Sequence, residues 1–297
     1  MDFAMSPKGS EYHERVSAFM QERVLPNEAT YETQMADAGD PHHYPAILHE
    51  LKAEAKAAGL WNMFLPDPDD GAGLSVTEYA PIAELTGHAV EFAPEVFNCD
   101  APNTGNMEIL HMFGTDEQKE RWLHPLLEGE IRSAFSMTEP DVASSDARNI
   151  RTSIRREGDE YVVSGRKWFS SGFSSERATF TIVMGVTNPD ADPYHRQSMV
   201  IVPRDTPGLV IERDVDVFGY LDRSGHPSVA FHDVRIPVEN LLGEEGGGFG
   251  IAQARLGPGR IHHCMRAIGM AERAYSMMAS RAMAREAFGK RVADHDT

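Results

Sequence analysis

The period of the hydrophobic pattern changes twice along this chain of 297 residues. In the first third, apolar residues recur at helical spacing, so that Val16, Phe19, Met20 and Val24 would share one face of a helix. Pro26 should end that helix. From about residue 131 the apolar segments become short and rich in Val, Ile, Phe and Thr, which is typical of strands. The pattern turns helical again after the Gly-rich segment 246–250 and stays so to roughly residue 286.

Cap and turn signals set the boundaries of these regions. Ser75 with Glu78, and Thr115 with Gln118, have the spacing of capping boxes, so helices should begin near residues 75 and 115. Four segments predict strands of a mostly antiparallel sandwich or barrel: EYVVSGRKWF, RATFTIVMGV, QSMVIVP and SVAFHDVRIP. The last helical region would be about 50 Å long as one helix, or a pair broken near Gly257-Pro258-Gly259.

The predicted fold class is therefore α+β and multidomain, since 297 residues exceed one core of ordinary size. We expect an N-terminal α-helical domain over residues 1–130 and a middle antiparallel β-barrel or sandwich domain over 131–240. Residues 241–297 would be the first long helix of a C-terminal α-helical bundle, which this chain contains only in part. A long amphipathic helix cannot bury its apolar stripe alone, so a partner chain or further helices must cover it.

The charge balance excludes several classes of partner. Twenty-eight basic and 46 acidic residues give a formal net charge of −18, which repels nucleic acid and anionic lipid. No apolar run approaches the length of a membrane span, and the N-terminus does not resemble a signal or transit peptide. We therefore expect a cytoplasmic protein, or a processed mitochondrial or peroxisomal one in a eukaryote. Two cysteines without paired spacing predict neither a disulfide framework nor a thiolate metal site.

An unusual concentration of hydroxyl side chains occurs in SAFSMTEPDVASSDARNI, residues 133–150. The turn at Glu139-Pro140 is surrounded by Ser133, Ser136, Thr138, Ser144 and Ser145. In an ordinary surface loop such residues only cap turns. Hydroxyls can also donate and accept hydrogen bonds by rotating, which suits a neutral ligand edge that needs both.

This stretch closely resembles the flavin-binding signature of the acyl-CoA dehydrogenase family. Four further blocks resemble the family in the same order: residues 158–172, 218–250, 256–261 (LGPGRI) and 285–292 (REAFGKRV). The patterns MTEPDVASSDA and LGPGRIHHCMR are similar to the branch that includes acyl-CoA dehydrogenase 11-like enzymes. The resemblance implies a noncovalent FAD cofactor, an acyl-CoA substrate, electron-transfer flavoprotein or a similar acceptor, and a homodimer or homotetramer.

The resemblance also implies roles for individual residues. Along the pyrimidine edge of the flavin would lie Phe135, Ser136, Met137 and Thr138, with Thr138 donating near the site that becomes negative on reduction. Ser144 would lie at the pyrophosphate and pantetheine side, close to both cofactor and substrate. Phe169 occupies the family's usual Trp position and would cover one flavin face, with Ser170 and Ser171 reaching toward the reactive nitrogen. Strand aromatics are mostly core, so Trp168 and Phe169 as plain core residues is the alternative.

Three residues in the last helical region match family positions. Arg260 would contact the CoA portion of the substrate, and Arg285 and Phe288 would reach across a dimer interface to the FAD of a neighbouring subunit. An ordinary solvated helix charge is the alternative for Arg285. His262 and His263 are neighbours that point in different directions on a helix, so we predict no metal site. The Gly cluster at 246–250 lacks the order of a phosphate-binding loop.

A catalytic base is missing from the sequence. Dehydrogenation of a thioester at Cα–Cβ needs a carboxylate that removes the α-proton while hydride leaves the β-carbon. A minority of the family carries this Glu just before the Arg matched by Arg260, where this chain has Gly259. We expect the base beyond Thr297, and we do not expect Glu139 to replace it. The sequence thus predicts an α,β-dehydrogenase of fatty acyl-CoA thioesters that forms the trans-2-enoyl-CoA, with no assigned catalytic residue. An acyl-CoA oxidase or flavin monooxygenase of the same fold, and a truncated non-catalytic flavin- or CoA-binding protein, remain alternatives.

Overall fold

A computed structural model describes residues 4–295. Its α-helices are α1 (Pro7–Phe19), α2 (Glu28–Ala38), α3 (Ala46–Ala57), α4 (Val76–Gly87), α5 (Ala93–Val96), α6 (Asn103–Phe113), α7 (Asp116–Gln118), α8 (His124–Leu127) and α9 (Gly248–Ala284). Short π-helical segments, Met20–Val24 and Lys119–Leu123, continue α1 and join α7 to α8. Both predicted capping boxes are present, at Ser75 with Glu78 and at Thr115 with Gln118.

The strands are β1 (Arg132–Ser136), β2 (Ser153–Glu157), β3 (Glu160–Lys167), β4 (Ala178–Val186), β5 (Gln197–Pro203), β6 (Leu209–Asp214), β7 (Pro227–Pro237), β8 (Leu241–Leu242), β9 (Glu286–Ala287) and β10 (Lys290–Arg291). The first eight form one sheet in the order β6-β7-β3-β2-β4-β5-β8, with β1 also paired to β4. Most neighbours are antiparallel, while β1 and β2 each run parallel to β4. The predicted middle β domain is confirmed, and the sheet is not closed into a barrel.

The chain divides into two compact units. The first takes in the chain up to Thr30, Ile47–Phe97 and the chain from Arg260 onward. Its helices bury most of the face that the sequence predicted: Val16, Met20 and Val24 are at most 2% exposed, and Phe19 is partly buried. Pro26 does not end the helical region as expected. It lies in a single 3₁₀ turn that leads directly into α2, because proline is tolerated in a first turn, where its missing N–H has no helical partner.

The second unit, Tyr31–Ala46 and Asn98–Gly259, contains the eight-stranded sheet. Its core lies on the inner faces of the strands and includes Ile154, Tyr161, Val200 and Phe231. Helix α6 is fixed to β1 by buried amide groups rather than by apolar contact alone. Asn106 Nδ2 donates to the Ala134 carbonyl at 3.0 Å, and Asn103 Oδ1 accepts from the Ser133 backbone N–H at 2.9 Å. Strand β1 therefore leads into the hydroxyl-rich loop from a rigid position.

The last helical region forms one continuous helix of 37 residues, so the alternative of a break near Gly257-Pro258-Gly259 is not realised. It ends at Ala284, two residues before the predicted end. Over residues 4–295, no helix combines the length and the apolar character that a membrane crossing requires.

Candidate functional site

A buried ion pair braces the hydroxyl-rich loop. The side chain of Lys167, at the end of β3, is 0% exposed, and its Nζ donates to Glu139 Oε1 at 2.9 Å and to the Met137 carbonyl at 2.8 Å. Glu139 also accepts the backbone N–H groups of Arg151 and Thr152, at 2.9 and 2.8 Å. Burial raises the pKa of Glu139, but the Lys167 charge and the Thr152 hydrogen bonds outweigh it, so the pKa is lowered overall. Glu139 is thus an ionised loop brace and not a free base.

Three of the five hydroxyls in this stretch point into the protein. Ser133, Ser136 and Ser144 are each at most 5% exposed. Ser136 lies within hydrogen-bond distance of the Ser170 and Thr181 hydroxyls, at 2.9 and 2.7 Å, so Ser136 and Ser170 form a closed network. Ser144 accepts from the Glu139 N–H at 2.9 Å and closes the turn. These buried hydroxyls therefore already have protein partners, and their contact with a ligand stays a prediction.

The loop after β3 presents an aromatic side chain. Phe169 has a left-handed backbone conformation, with φ of 49°, and is 39% exposed. A non-glycine residue in this region is uncommon and is held there by its surroundings. Thr138 provides that hold, since its hydroxyl donates to the Trp168 carbonyl at 2.9 Å and its carbonyl accepts from the Trp168 N–H at 3.1 Å. Phe169 is therefore not a plain core residue. The Thr138 proton reaches a ligand only after the hydroxyl rotates.

A chain of three polar residues lies beside Phe169. The Ser171 Oγ atom is 2.7 Å from His226 Nδ1, and His226 Nε2 is 2.8 Å from Asp222 Oδ2. The sequence pattern indicated Ser171 as a functional residue but not His226 or Asp222, which are more than 50 residues away in the sequence. The spacing D-x-x-x-H in DRSGH was the only local signal for their pairing.

Phe135, the first predicted flavin contact, lies under a guanidinium group. The Arg255 Cζ atom is 3.8 Å from the Phe135 ring centroid, and Arg255 Nε donates to Asn106 at 3.1 Å. Arg255 is the main opposite charge near Glu108, a residue 4% exposed whose pKa burial raises to about 8. These residues join α6, β1 and α9 within one unit, and no local sequence pattern indicated Arg255 or Glu108.

The remaining predicted positions lie in the other unit. Arg260 is exposed on α9, and its contact with the CoA portion of a substrate stays a prediction. Arg285 and Phe288 were expected inside this helix and lie just beyond it. Phe288 and Gly289 have φ of 54° and 79° and form the turn of the β9–β10 hairpin. The helix has already ended at Ala284, and the two-residue hairpin turn leaves Phe288 98% exposed at its tip.

The two adjacent histidines lie in different surroundings, since His262 is buried and His263 is exposed. His262 is 1% exposed and packs edge-on against Tyr79 at 4.8 Å, and burial lowers its pKa to about 3. Among residues 4–295 there is no cluster of three His, Cys, Asp or Glu side chains that could hold a metal ion.

Each of the three regions of this chain matches a domain of known proteins. Models of the N-terminal, middle and C-terminal domains of acyl-CoA dehydrogenases match residues 6–130, 134–234 and 246–297. The probable acyl-CoA dehydrogenase FadE2 of Mycobacterium tuberculosis is 58% identical over 99% of this chain and 72% of its own length. The chain belongs to the acyl-CoA dehydrogenase family.

Two other relatives show how far the family likeness extends. Acyl-CoA dehydrogenase family member 11 of Gallus gallus is 52% identical over 99% of this chain, which spans 38% of that protein. A solved structure from Mycobacterium abscessus is 49% identical, with a TM-score of 0.93 over 98% of this chain and 74% of that one. The family is an oxidoreductase family, and the predicted relation to the family member 11 branch is confirmed.

Proposed function

We propose that this chain forms the FAD- and thioester-binding part of an acyl-CoA dehydrogenase that converts a fatty acyl-CoA to its trans-2-enoyl-CoA. The observation that carries the proposal is the match of all three family domains together with the braced loops around Thr138 and Phe169. In such a reaction FAD accepts the hydride from the β-carbon of the substrate.

The side chains present fit a flavin. An exposed aromatic ring on a rigid backbone suits stacking on a planar ring system, and Phe169 provides it. The hydroxyls of Thr138 and Ser171 can both donate and accept, as the edge of a flavin requires. Glu139, which follows Thr138 in the chain, is paired with Lys167, and this pairing reduces its repulsion of an electron-rich ligand. Phe135, Met137 and Thr138 would line the edge, Phe169 one face, and Ser144 would support the pyrophosphate side by holding its turn.

Proton removal at the α-carbon is the part that these residues do not supply. Gly259 has no side chain, and Glu139 has both oxygens occupied by Lys167 and by two backbone N–H groups. We propose that the base belongs to sequence outside this chain. This chain would then contribute the positioning of the thioester, with Arg260 held on the exposed face of α9 for the CoA portion.

Anaerobic titration of the full-length protein with straight-chain acyl-CoA thioesters tests the proposal. Bleaching of the flavin absorbance should occur with at least one chain length, together with formation of the enoyl product. The variant Arg260→Ala should need a higher concentration of thioester for half-maximal bleaching, because one cation near the CoA phosphates is lost. Arg281→Ala, which removes an exposed cation from the same helix, is the matched control and should behave like the wild type. No bleaching with any thioester would refute the dehydrogenase proposal.

Exposure of the bleached protein to oxygen separates the other flavin-dependent alternatives. A dehydrogenase should reoxidise slowly and pass electrons to electron-transfer flavoprotein or a similar acceptor. An oxidase would form hydrogen peroxide rapidly, and a monooxygenase would form a hydroxylated product. A protein that binds flavin and CoA tightly without bleaching would be the non-catalytic alternative.

We also propose that the β9–β10 hairpin completes the FAD site of a second copy in a homodimer or homotetramer. The support is the 98% exposure of Phe288 at the tip of the hairpin and the exposed Arg285 at its base, which could meet a pyrophosphate. Phe288→Ser should lower FAD content and oligomer mass together, measured by absorbance and light scattering. Met283→Ser removes a 55% exposed apolar side chain from the end of α9 and should change neither. Such a protein would work in the cytoplasm, or in mitochondria or peroxisomes of a eukaryote.

A further inference from the structure

The hydrogen-bonded chain of Ser171, His226 and Asp222 is built into the backbone and is not a chance contact of mobile side chains. The Ser170 N–H donates to the Pro227 carbonyl at 3.1 Å, and the Gly172 N–H donates to the Gly225 carbonyl at 3.0 Å. These two bonds join the segments on either side of Ser171 and His226. The two side chains are therefore held against each other by the main chain.

Asp222 is fixed as firmly as His226. Its Oδ1 accepts the Gly225 N–H at 2.8 Å, and its backbone carbonyl accepts the same N–H at 3.1 Å, which closes a turn. Gly225 needs the left-handed conformation of this turn, with φ of 65°. A Cβ atom at this position would also lie 2.4 Å from the Ser174 hydroxyl. The carboxylate thus faces His226 Nε2 in a geometry that the turn imposes.

The chemistry of the imidazole ring gives this arrangement a direction. A carboxylate only accepts hydrogen bonds, so Nε2 of His226 carries a proton. Nδ1, which faces Ser171, accepts a hydrogen bond when the ring is neutral and donates one when the ring is protonated. When the His226 ring is neutral, the single hydroxyl proton of Ser171 is donated to Nδ1. When the ring is protonated, Ser171 accepts from Nδ1, and its own proton can be donated to another acceptor. The remaining protein acceptor is the Phe169 carbonyl at 3.4 Å, which is a long bond, so a ligand acceptor would compete well for the proton.

We infer that His226, oriented by Asp222, is a positioning residue that sets whether the Ser171 hydroxyl donates to or accepts from the flavin. The inference rests on the proposed function, in which Ser171 faces the reactive ring nitrogen. That nitrogen is a hydrogen-bond acceptor in the oxidised cofactor and a donor once it carries a hydrogen. Protonated His226 matches the oxidised cofactor, since Ser171 then donates. Neutral His226 matches the reduced one, since Ser171 then accepts.

The charges around His226 favour the protonated form of the ring. The hydrogen bond to Asp222 raises the pKa of His226 most strongly, while partial burial opposes it. Asp214 on β6 adds a second negative charge that also raises the pKa. Asp214 in turn lies 2.8 Å from Nε2 of His42, whose Nδ1 is 3.1 Å from the Arg223 carbonyl. The Ser171–His226 pair is therefore surrounded by two carboxylates, Asp222 and Asp214, and by the imidazole of His42.

The same residue types occur in serine hydrolases, but the geometry differs. There the serine bonds Nε2 of the histidine, and the acid bonds Nδ1–H. Here the two nitrogens are exchanged, since Ser171 meets Nδ1 and Asp222 meets Nε2. The arrangement favours control of a hydroxyl over activation of a nucleophile.

The test follows the hydrogen bond at the flavin nitrogen itself. The full-length protein is loaded with FAD labelled with ¹⁵N at the reactive nitrogen, and the chemical shift of the oxidised cofactor is recorded as the pH is raised. The wild type should show one transition, as Ser171 stops donating when His226 loses its proton. Asp222→Asn should move the midpoint down by roughly 1–3 pH units, because an adjacent opposite charge shifts a pKa by that amount. His226→Phe should abolish the transition.

His124→Gln is the matched control, because His124 is an exposed imidazole that bonds Glu120 at 3.0 Å without any serine. It should leave the transition unchanged. A transition that survives His226→Phe, or a midpoint that Asp222→Asn does not move, would overturn the inference while FAD binding stands. Labelling of Ser171 by a fluorophosphonate would overturn it in favour of acyl transfer. If the flavin absorbance shows that the protein takes up no FAD, the proposed function is refuted and the inference with it. If FAD binds but the transition does not behave as described, only the inference is refuted.

Discussion

Replacement of the buried Lys167 with methionine should reduce the free energy of unfolding by about 3–5 kcal/mol, the usual cost of removing one partner of a buried ion pair. The structure shows why the upper part of this range applies. The lysine side chain is 0% exposed, and its Nζ bonds both Glu139 and the Met137 carbonyl. Methionine fills similar volume, so the loss is polar and leaves little cavity. The part-buried Met137 carbonyl loses its donor, which costs at most about 1–3 kcal/mol, and the unpaired Glu139 charge accounts for the rest.

Chemical denaturation of the purified protein, followed by circular dichroism, measures this loss. Lys290→Met is the matched control, because Lys290 is exposed and the same charge is removed. Its effect should stay within about 0.5 kcal/mol. The double variant Lys167→Met with Glu139→Gln should recover part of the loss, since no buried charge is left unpaired. A loss below about 1 kcal/mol for Lys167→Met would refute the claim that this pair holds the loop.

The pH dependence of the loss provides an independent check. In the wild type the pKa of Glu139 lies below its ordinary value of 4.5, so this carboxylate stabilises the fold above that pH and the effect disappears in acid. Removal of Lys167 takes away the charge that lowers the pKa of Glu139 most strongly, so this pKa should rise in the variant. The difference in stability between wild type and variant should therefore be largest near neutral pH and should shrink as the pH falls toward 4.5. A difference that grows in acid would contradict this account.

Two further predictions concern α9 and the residues packed on it. Gly269→Ala should lower the free energy of unfolding by about 1–3 kcal/mol in chemical denaturation, because a Cβ atom there would lie 2.0 Å from the Glu84 carbonyl oxygen. The control Gly259→Ala places its Cβ atom in open space and should raise the free energy of unfolding by up to about 1 kcal/mol. Burial raises the pKa of Glu108 from 4.5 to about 8, with the Arg255 charge opposing, so the folded state holds this proton and stability should fall as the pH rises through that interval. Glu108→Gln should remove this fall in a series of denaturation curves, and an unchanged slope would exclude Glu108 as its source.

The period of the apolar residues was enough to predict the order of the helical and strand regions. Helices, then strands, then one long helix are present in the predicted order, and strands β3, β4, β5 and β7 coincide with the segments chosen from composition. The capping boxes were predictable because their partners are three residues apart. Strands β2 and β6 were missed, since their exposed polar residues leave little of the apolar signal.

Side-chain partners across the fold were not predictable in this way. The hydroxyls of residues 133–150 were interpreted as a ligand edge, yet Ser136 bonds Thr181, 45 residues away. The sequence indicated that Glu139 is a carboxylate in a turn, but not that Lys167, 28 residues away, pairs with it. Whether a polar group faces a ligand or another residue depends on which distant strand is its neighbour, and a single local pattern does not encode that choice.

The sequence by itself thus determined the element types, the family and the absence of a base at Gly259, because each is a property of local residue order. Only the tertiary structure decided which groups are available for chemistry. It buried Ser136 and Ser144, exposed Phe169 and Phe288, and joined Ser171 to His226 across 55 residues. The physical reason is that burial and hydrogen bonding depend on distances in space, and the folded sheet sets these distances.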